Sequence, residues 1–245
     1  MRQRIVFLTF GCEKYYNQVA RISSEANKLK CFDDIISLTD KDLLIDSNFN
    51  YLHRDFFTHD KFCRGFGYWL WKPYIIKERL LKMKDDDILV YVDSGSVINE
   101  NGRKRIFEYI EMLNLDGNHG VLSFQMCHLP EIKYTKRALL SYLETNLDDM
   151  RSGQFMATVI IIKKNLHSMH IMNEWYRIAS INELINDDKG SEEEYKFFQD
   201  HRHDQSIYSL LVKKYGSIKI PDETYFAPDW SNGKYYPFWA TRIRN

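Results

Sequence analysis

The most constraining feature of the sequence is an apolar run, Ile88–Val92, that leads directly into an acidic residue, Asp93. Such a run suits a central parallel strand covered on both faces, because a half-exposed strand would alternate with polar residues. Asp93 then stands at the carboxyl end of the strand, where ligands bind in open α/β sheets. Ser94 and Gly95 leave space beside the carboxylate. The pattern predicts a ligand site at Asp93, and a turn that Asp93 merely caps is the alternative.

The composition favours one α/β domain of 245 residues, because no Pro/Gly/Ser-rich linker or internal repeat divides the chain. The 34 basic and 34 acidic residues leave no net charge to attract nucleic acid or an anionic membrane. No apolar run approaches the length of a membrane span or a signal-peptide core. Without a C-x-x-C pair, the four cysteines, Cys12, Cys31, Cys63 and Cys127, are expected to be free thiols. We therefore expect a cytoplasmic protein.

Periodicity and turn residues predict alternating strands and helices along the chain. The predicted strands cover residues 5–10, 33–38, 88–92, 121–124, 158–162 and 218–220. The predicted helices cover about 16–29, 74–83, 103–114, 136–143 and 166–185, with one more beginning at Asp204. Residues 49–62 suit a helix or an ordered loop, 125–132 a loop, and 187–194 a solvated charged loop. Regular alternation of this kind favours an α/β fold.

The segment before the central strand, CRGFGYWLWKP, has an unusual composition. Gly65 and Gly67 allow the backbone to pass close to a ligand, and Pro73 suits the start of a helix. The free N–H groups and the positive dipole end of that helix, with Arg64 and Lys72 nearby, could seat a diphosphate. The alternative is an aromatic core wedge with solvated basic residues.

A second polar motif, HRHDQS, opens the helix predicted at Asp204. Asp204 suits the N-cap of that helix, and a cap is the simplest interpretation of this residue. His201 and His203 precede it, and two imidazoles with a carboxylate have the ligand chemistry of a divalent metal site.

The C-terminal tail, residues 225–245, is rich in aromatic side chains and ends with Arg242 and Arg244. Such a tail could close over a bound ligand and exclude water. The alternative is a tail packed permanently on the core, because so much aromatic surface favours burial.

Four motifs follow one another along the chain, in the order RGFGYWLWKP, VYVDSG, SGQFMATVIIIKKN and HRHDQS. This order resembles that of glycosyltransferases with the GT-A fold, in particular small bacterial and large-virus enzymes that build surface glycans. The resemblance spans about residues 5–230. It implies a single GT-A-like (Rossmann-like) domain with a mostly parallel central sheet flanked by helices. About residues 1–100 would form the nucleotide-sugar-binding half, and about 101–245 the acceptor half and tail.

In that family an Asp-x-Asp motif after the central strand usually holds Mn²⁺ or Mg²⁺ on the donor diphosphate. Gly95 stands at the third position of this motif, so only Asp93 offers a carboxylate. Two alternatives follow. In the first, His203 or His201 supplies a second metal ligand. In the second, Asp93 contacts ribose or sugar hydroxyls, and Arg64 and Lys72 carry the phosphate charge. An added imidazole would favour Mn²⁺.

The HDQS segment also resembles the HDES segment of retaining galactosyl and N-acetylgalactosaminyl transferases of the blood-group type. The carboxylate proposed there as nucleophile falls on Gln205, which cannot form a glycosyl ester. A front-face mechanism would then account for retention, the favoured outcome. Asp204 would hold the donor sugar or act as a base toward the acceptor.

The resemblance implies transfer of a hexosyl or deoxyhexosyl group from a UDP- or GDP-sugar to a glycan hydroxyl. The alternative is a non-catalytic glycan- or nucleotide-sugar-binding scaffold on the same fold. The expected donor contacts are Phe10, Tyr15, Arg64, Tyr68, Lys72, Asp93, Ser94 and Gly95. The expected catalytic residues are Asp204 and Gln205, and the expected metal ligands are Asp93 and His203.

Overall fold

The computed structural model describes residues 2–58, 64–188 and 193–243. Its strands are β1 (Ile5–Gly11), β2 (Asp34–Thr39), β3 (Ile88–Val92), β4 (Val97–Ile98), β5 (Val121–Pro130), β6 (Gly153–Phe155), β7 (Val159–Lys163), β8 (Ile218–Pro221) and β9 (Phe238–Trp239). Its helices are α1 (Tyr16–Lys28), α2 (Asp40–Ile45), α3 (Ser47–Thr58), α4 (Gly65–Tyr68), α5 (Trp71–Leu81), α6 (Arg103–Asp116), α7 (Glu131–Tyr134), α8 (Arg137–Tyr142), α9 (Leu147–Arg151), α10 (Leu166–Ala179), α11 (Asn182–Ile185) and α12 (His203–Tyr215).

The central sheet has the strand order β2-β1-β3-β7-β5-β6, and β8 also pairs with β5. Strands β2, β1 and β3 run parallel, as do β5 and β8. Strand β7 runs antiparallel between β3 and β5, and β6 is antiparallel to β5. The predicted α/β class is confirmed, but the sheet is mixed and not mostly parallel. Because β7 is antiparallel, it begins where β3 ends, and the Asp93 N–H donates to the carbonyl of Thr158 across 2.9 Å.

Strand β3 is buried on both faces, as its continuous apolar run predicted, and all five of its residues are 0% exposed. Leu89 and Tyr91 face the cluster that includes α5, α10 and α12, whereas Val90 and Val92 face the cluster that includes α1 and α6. Each apolar side chain buried in this way contributes about 1.5–3 kcal/mol. Helices therefore cover both faces of the sheet.

Several predicted elements have different bounds in the structure. The helix predicted over residues 74–83 covers Trp71–Leu81, so Pro73 lies inside its first turn. The helix predicted over residues 166–185 is interrupted, because Ser180 ends α10 and Ile181 is extended before α11. The loop predicted over 125–132 is mostly strand, because Gln125 and Met126 pair with β6. The segment predicted over 49–62 is helical to Thr58, and residues 59–62 lie outside the described residues.

The C-terminal tail is packed against the domain along part of its length. Strand β9 pairs antiparallel with β4, and Phe238 is 1% exposed. At Gly102, an added Cβ would lie 2.2 Å from the backbone nitrogen of Pro237, so this contact requires glycine. The part of the tail beyond β9 reaches the site described below.

None of the described helices is long and apolar enough to cross a membrane. Cys12, Cys31 and Cys127 are free thiols, as predicted, and Cys63 lies outside the described residues. The cytoplasmic location and the division into a donor half and an acceptor half stay predictions.

Candidate active site

A cleft of about 780 Å³ opens at the carboxyl ends of β1 and β3. The segments that follow these strands, the turn before α5, the start of β7, the start of α12 and the tail together form its walls. The predicted site residues that line it are Phe10, Tyr15, Arg64, Lys72, Asp93, Ser94, Gly95, His203, Asp204 and Gln205. Tyr68 does not line the cleft, because it packs behind His203 with its ring stacked at 5.0 Å.

Lys72 forms the buried centre of the site. Its Nζ lies 3.1 Å from Asp93 Oδ1, 2.9 Å from Asp204 Oδ2 and 3.2 Å from the carbonyl oxygen of Ala157. Its side chain is only 3% exposed, so the interpretation of Lys72 as a solvated residue is wrong. An ammonium group has three N–H donors, and three oxygens surround this one. Oxygens of the protein therefore already surround the Lys72 ammonium group.

Asp93 has one carboxylate oxygen occupied and one available. Oδ1 accepts a hydrogen bond of 2.6 Å from the Tyr91 hydroxyl and also faces Lys72. The described part of the chain provides no hydrogen bond to Oδ2, and the side chain is 30% exposed. The turn after β3 is closed by the Asp93 backbone carbonyl, which accepts from Ser96 N–H, so the carboxylate is not its cap. Asp93 thus presents Oδ2 to the cleft.

The sequence pattern predicted that Asp204 is the N-cap of α12, and this prediction is wrong. The helix begins at His203, and its N-cap is Arg202, two residues before the predicted cap. The Asp204 side chain is 6% exposed and pairs with Lys72. Burial raises the pKa of Asp204 to about 6, Lys72 opposes this shift, and the nearby Asp93 carboxylate adds to it. With all three groups ionised, the cluster of two aspartates and one lysine carries one net negative charge.

Gln205 is held beside this cluster by a buried polar network. Its Oε1 accepts from the Ala157 N–H at 3.4 Å, and its Nε2 donates to Gln154 Oε1 at 2.8 Å. Gln154 in turn donates to Glu131 Oε2 at 3.0 Å, and Glu131 pairs with Lys213. These bonds fix the orientation of the Gln205 amide.

His201 has both ring nitrogens occupied by the backbone. Its Nε2 donates to the carbonyl of Leu184 at 3.0 Å, and its Nδ1 accepts from the Lys136 N–H at 3.3 Å. Burial is the main reason that the pKa of His201 lies well below its ordinary value. A neutral ring with two occupied nitrogens offers no lone pair to a metal.

His203 has one ring nitrogen without a hydrogen bond. Its Nδ1 donates to the carbonyl of Ile185, the last residue of α11, at 2.6 Å. Its Nε2 is buried without a hydrogen-bond partner and lies 3.4 Å from Asp187 Oδ1. Burial lowers the pKa of His203, whereas the Ile185 carbonyl and the Asp187 carboxylate oppose that shift.

Arg64 closes one rim of the cleft. Its Nη1 donates to both carboxylate oxygens of Asp187 at 3.0 Å, and its Nη2 lies 3.5 Å from Asp200 Oδ2. The loop predicted as a solvated excursion over 187–194 therefore takes part in the site through Asp187. Residues 189–192 of that loop lie outside the described residues.

Backbone strain is concentrated around the cleft. Non-glycine residues with positive φ line it at Phe66 (φ 53°), Trp69 (62°), His203 (47°) and Arg242 (56°). Each such residue costs about 1–3 kcal/mol and persists only where the surrounding structure holds it. Strain of this kind clusters at active sites and ligand clamps, which supports a functional role for the cleft.

No protein-family model matches the chain, and no curated protein matches it. Solved structures do match. One is a glycosyltransferase involved in the glycosylation of the major capsid of PBCV-1, with a TM-score of 0.51, 10% identity, and coverage of 96% of this chain and 92% of that chain. Another is mouse xyloside xylosyltransferase 1, with a TM-score of 0.50, 8% identity, and coverage of 97% and 96%. The chain has the fold of these glycosyltransferases. The predicted GT-A-like fold is confirmed.

The residues at the usual metal position of a GT-A fold do not fit a resident divalent cation. In the described part of the chain, no group of three His, Cys, Asp or Glu side chains lies close enough to hold a metal. Mg²⁺ and Mn²⁺ favour several oxygen ligands, whereas Asp93 offers one free oxygen and Gly95 none. His203 Nε2 faces Asp187. The Mn²⁺ or Mg²⁺ site at Asp93 and His203 stays a prediction that this donor set does not favour.

Several side chains in and around the cleft were missed at the level of the sequence. Tyr91 precedes Asp93 by two residues, so strand periodicity places both on one face, and this signal was available. Arg202 lies inside the HRHDQS motif, and Arg242 was considered only as part of a lid. Gln154 could be recognised only from its contacts, because a polar residue before a strand has many roles.

Proposed function

We propose that this chain is a glycosyltransferase that uses a UDP- or GDP-sugar and transfers a hexosyl or deoxyhexosyl group to a glycan hydroxyl. The observation that carries the proposal is the buried cluster of Lys72, Asp93 and Asp204 at the base of the cleft. Burying the charges of Lys72 and Asp204 is costly, and a pKa shifted by burial and a specific charge partner is characteristic of catalytic sites. The fold shared with two glycosyltransferases supports the same conclusion.

In this proposal the chain works mainly by positioning and electrostatics. Asp93 Oδ2 accepts a hydrogen bond from a hydroxyl of the donor sugar or ribose, while Lys72 fixes both aspartates relative to the anomeric carbon. The acceptor oxygen forms a bond to that carbon, and the bond from the carbon to the diphosphate oxygen breaks.

Retention of configuration fits Gln205 better by a front-face route than by double displacement, because an amide cannot form a glycosyl ester. In the front-face route the departing phosphate oxygen takes the proton of the acceptor hydroxyl. Gln205 then contributes its amide dipole next to the reacting carbon, in the orientation set by Gln154.

The test is slow hydrolysis of UDP- and GDP-sugars to free nucleoside diphosphate. Wild-type protein should release nucleotide from at least one donor, and Asp93→Asn should lose about 10²-fold or more of that rate. Asp229→Asn is the matched control, because this exposed carboxylate belongs to the tail and lies outside the cleft. Binding of a sugar nucleotide without any turnover would instead identify the non-catalytic module.

A further inference from the structure

Five cationic side chains line the cleft, namely Lys14, Arg64, Lys72, Arg202 and Arg242. Two of them already contact oxygens of the protein. Lys72 is surrounded by oxygens of the protein, and Arg64 is paired with two carboxylates. The central cluster has a net negative charge, so it repels a diphosphate. A donor that binds here needs positive charge from the remaining side chains.

Arg202 is half-buried and has no carboxylate partner within ion-pair distance in the described part of the chain. Its guanidinium stacks over the ring of Tyr134 at 4.6 Å, and its Nε is buried without a hydrogen-bond partner. An unmatched buried donor costs about 1–3 kcal/mol, more when charged. Burial lowers the pKa of Arg202, and the positive charge of nearby Arg242 lowers it further. Both features favour an anion at this position.

Arg242 is held beside the turn that follows Asp93. On one side of it, the Thr241 hydroxyl donates to the carbonyl oxygen of Gly95 at 3.1 Å, and on the other the Ile243 N–H donates to the same oxygen at 2.8 Å. An added Cβ at Gly95 would meet the Arg242 Cα at 3.6 Å. No carboxylate of the described residues pairs with Arg242, and Arg244 lies outside them. Arg242 therefore stands next to the position where GT-A enzymes usually carry their second carboxylate.

We propose that Arg202 and Arg242 bind the pyrophosphate of the nucleotide-sugar donor, and that they do so without a divalent cation. This inference rests on the proposed function. Both residues line one cleft, where an anion between them would offset their like charges, and a guanidinium matches phosphate oxygens with paired N–H donors. The two side chains come from distant parts of the sequence, one before α12 and one in the tail. The tail thus supplies a ligand contact, in addition to its packed strand β9.

The experiment measures binding of inorganic pyrophosphate, UDP, GDP, uridine and guanosine by calorimetry in EDTA. Arg202→Ala and Arg242→Ala should each weaken pyrophosphate and the bound nucleoside diphosphate about tenfold or more, and leave the nucleoside unchanged. Arg202→Lys and Arg242→Lys keep the charge and should recover part of the loss. Lys234→Ala is the matched control, since this cation belongs to the same tail but lies outside the cleft.

Adding Mn²⁺ separates the outcomes. If the wild type binds pyrophosphate and diphosphate only with Mn²⁺, or if both alanine variants bind like the wild type, the inference is wrong, although hydrolysis of a sugar nucleotide would still support the transferase. If the wild type binds no nucleoside diphosphate under any condition and hydrolyses no donor, both proposals fail. Equal weakening of nucleoside and diphosphate would assign the arginines to folding and would also contradict the inference.

Discussion

Replacing Lys72 by methionine tests whether the buried charge cluster is as interdependent as its geometry indicates. Methionine keeps most of the side-chain length and removes the ammonium, which leaves Asp93 and Asp204 close together without their shared cation. Removing one partner of a buried ion pair costs about 3–5 kcal/mol of the free energy of unfolding. The cost of leaving Asp204 unpaired should lie in the upper part of that range, because its side chain is 6% exposed. The cost at Asp93 should be smaller, because that side chain is 30% exposed and keeps its bond from Tyr91.

The loss of stability should depend on pH in a defined direction. Burial raises the pKa of Asp204 to about 6, and Lys72 opposes this shift, so removing Lys72 raises the pKa further. A carboxylate with a raised folded-state pKa binds its proton more tightly in the folded state than in the unfolded state. Stability therefore falls as pH rises from the unfolded pKa to the folded pKa. In the wild type this fall ends near pH 6, whereas in Lys72→Met it continues above pH 6 at about 1.4 kcal/mol per pH unit.

Urea unfolding followed by tryptophan fluorescence at about pH 5, 7 and 8 measures this difference. The gap between Lys72→Met and the wild type should widen with pH, and the double variant Lys72→Met/Asp204→Asn should remove most of the widening. Lys104→Met is the control, because this lysine is 92% exposed and its pairing with Glu108 adds little. A small, pH-independent loss in Lys72→Met would refute the argument that Lys72 sets the ionisation of Asp204.

Three further perturbations test other parts of the site. Asp204→Asn should lower the rate of sugar-nucleotide hydrolysis by about 10²-fold. The wild-type rate should fall as the pH drops below about 6, and this fall should be absent in the variant. An unchanged pH–rate profile would contradict this prediction. Tyr91→Phe removes the bond to Asp93 Oδ1, so donor affinity should fall severalfold in titrations while the thermal midpoint changes little; unaltered affinity would assign Tyr91 to the core alone. Gly102→Ala places a Cβ 2.2 Å from a backbone nitrogen of the tail, so limited proteolysis should cut the tail faster than in the wild type. Gly95→Ala is the control, because its added Cβ meets nothing within 3.5 Å. Equal cleavage of the two variants would show that the tail tolerates the displacement.

The sequence determined the parts of this protein that depend on local periodicity. The apolar run Ile88–Val92 specified a strand buried on both faces, and the carboxylate after it lies at the sheet edge that such a strand predicts. The helix after β1 was also predictable, because Val19, Ile22 and Ala26 recur at helical spacing and are buried together. Within each element, the spacing of apolar residues is sufficient to decide which face is covered.

Only the tertiary structure decided the charges and partners at the site. Asp204 looked like a helix cap because its neighbours in sequence form a helix start, but Lys72 reaches it from α5 and the two pair in the core. The mixed sheet was hidden for a similar reason, since an apolar strand such as β7 reads the same whether its neighbours run parallel or antiparallel. Periodicity encodes which face of an element is buried, whereas the pairing of β7 and the meeting of Lys72 with two aspartates depend on contacts between residues far apart in the chain.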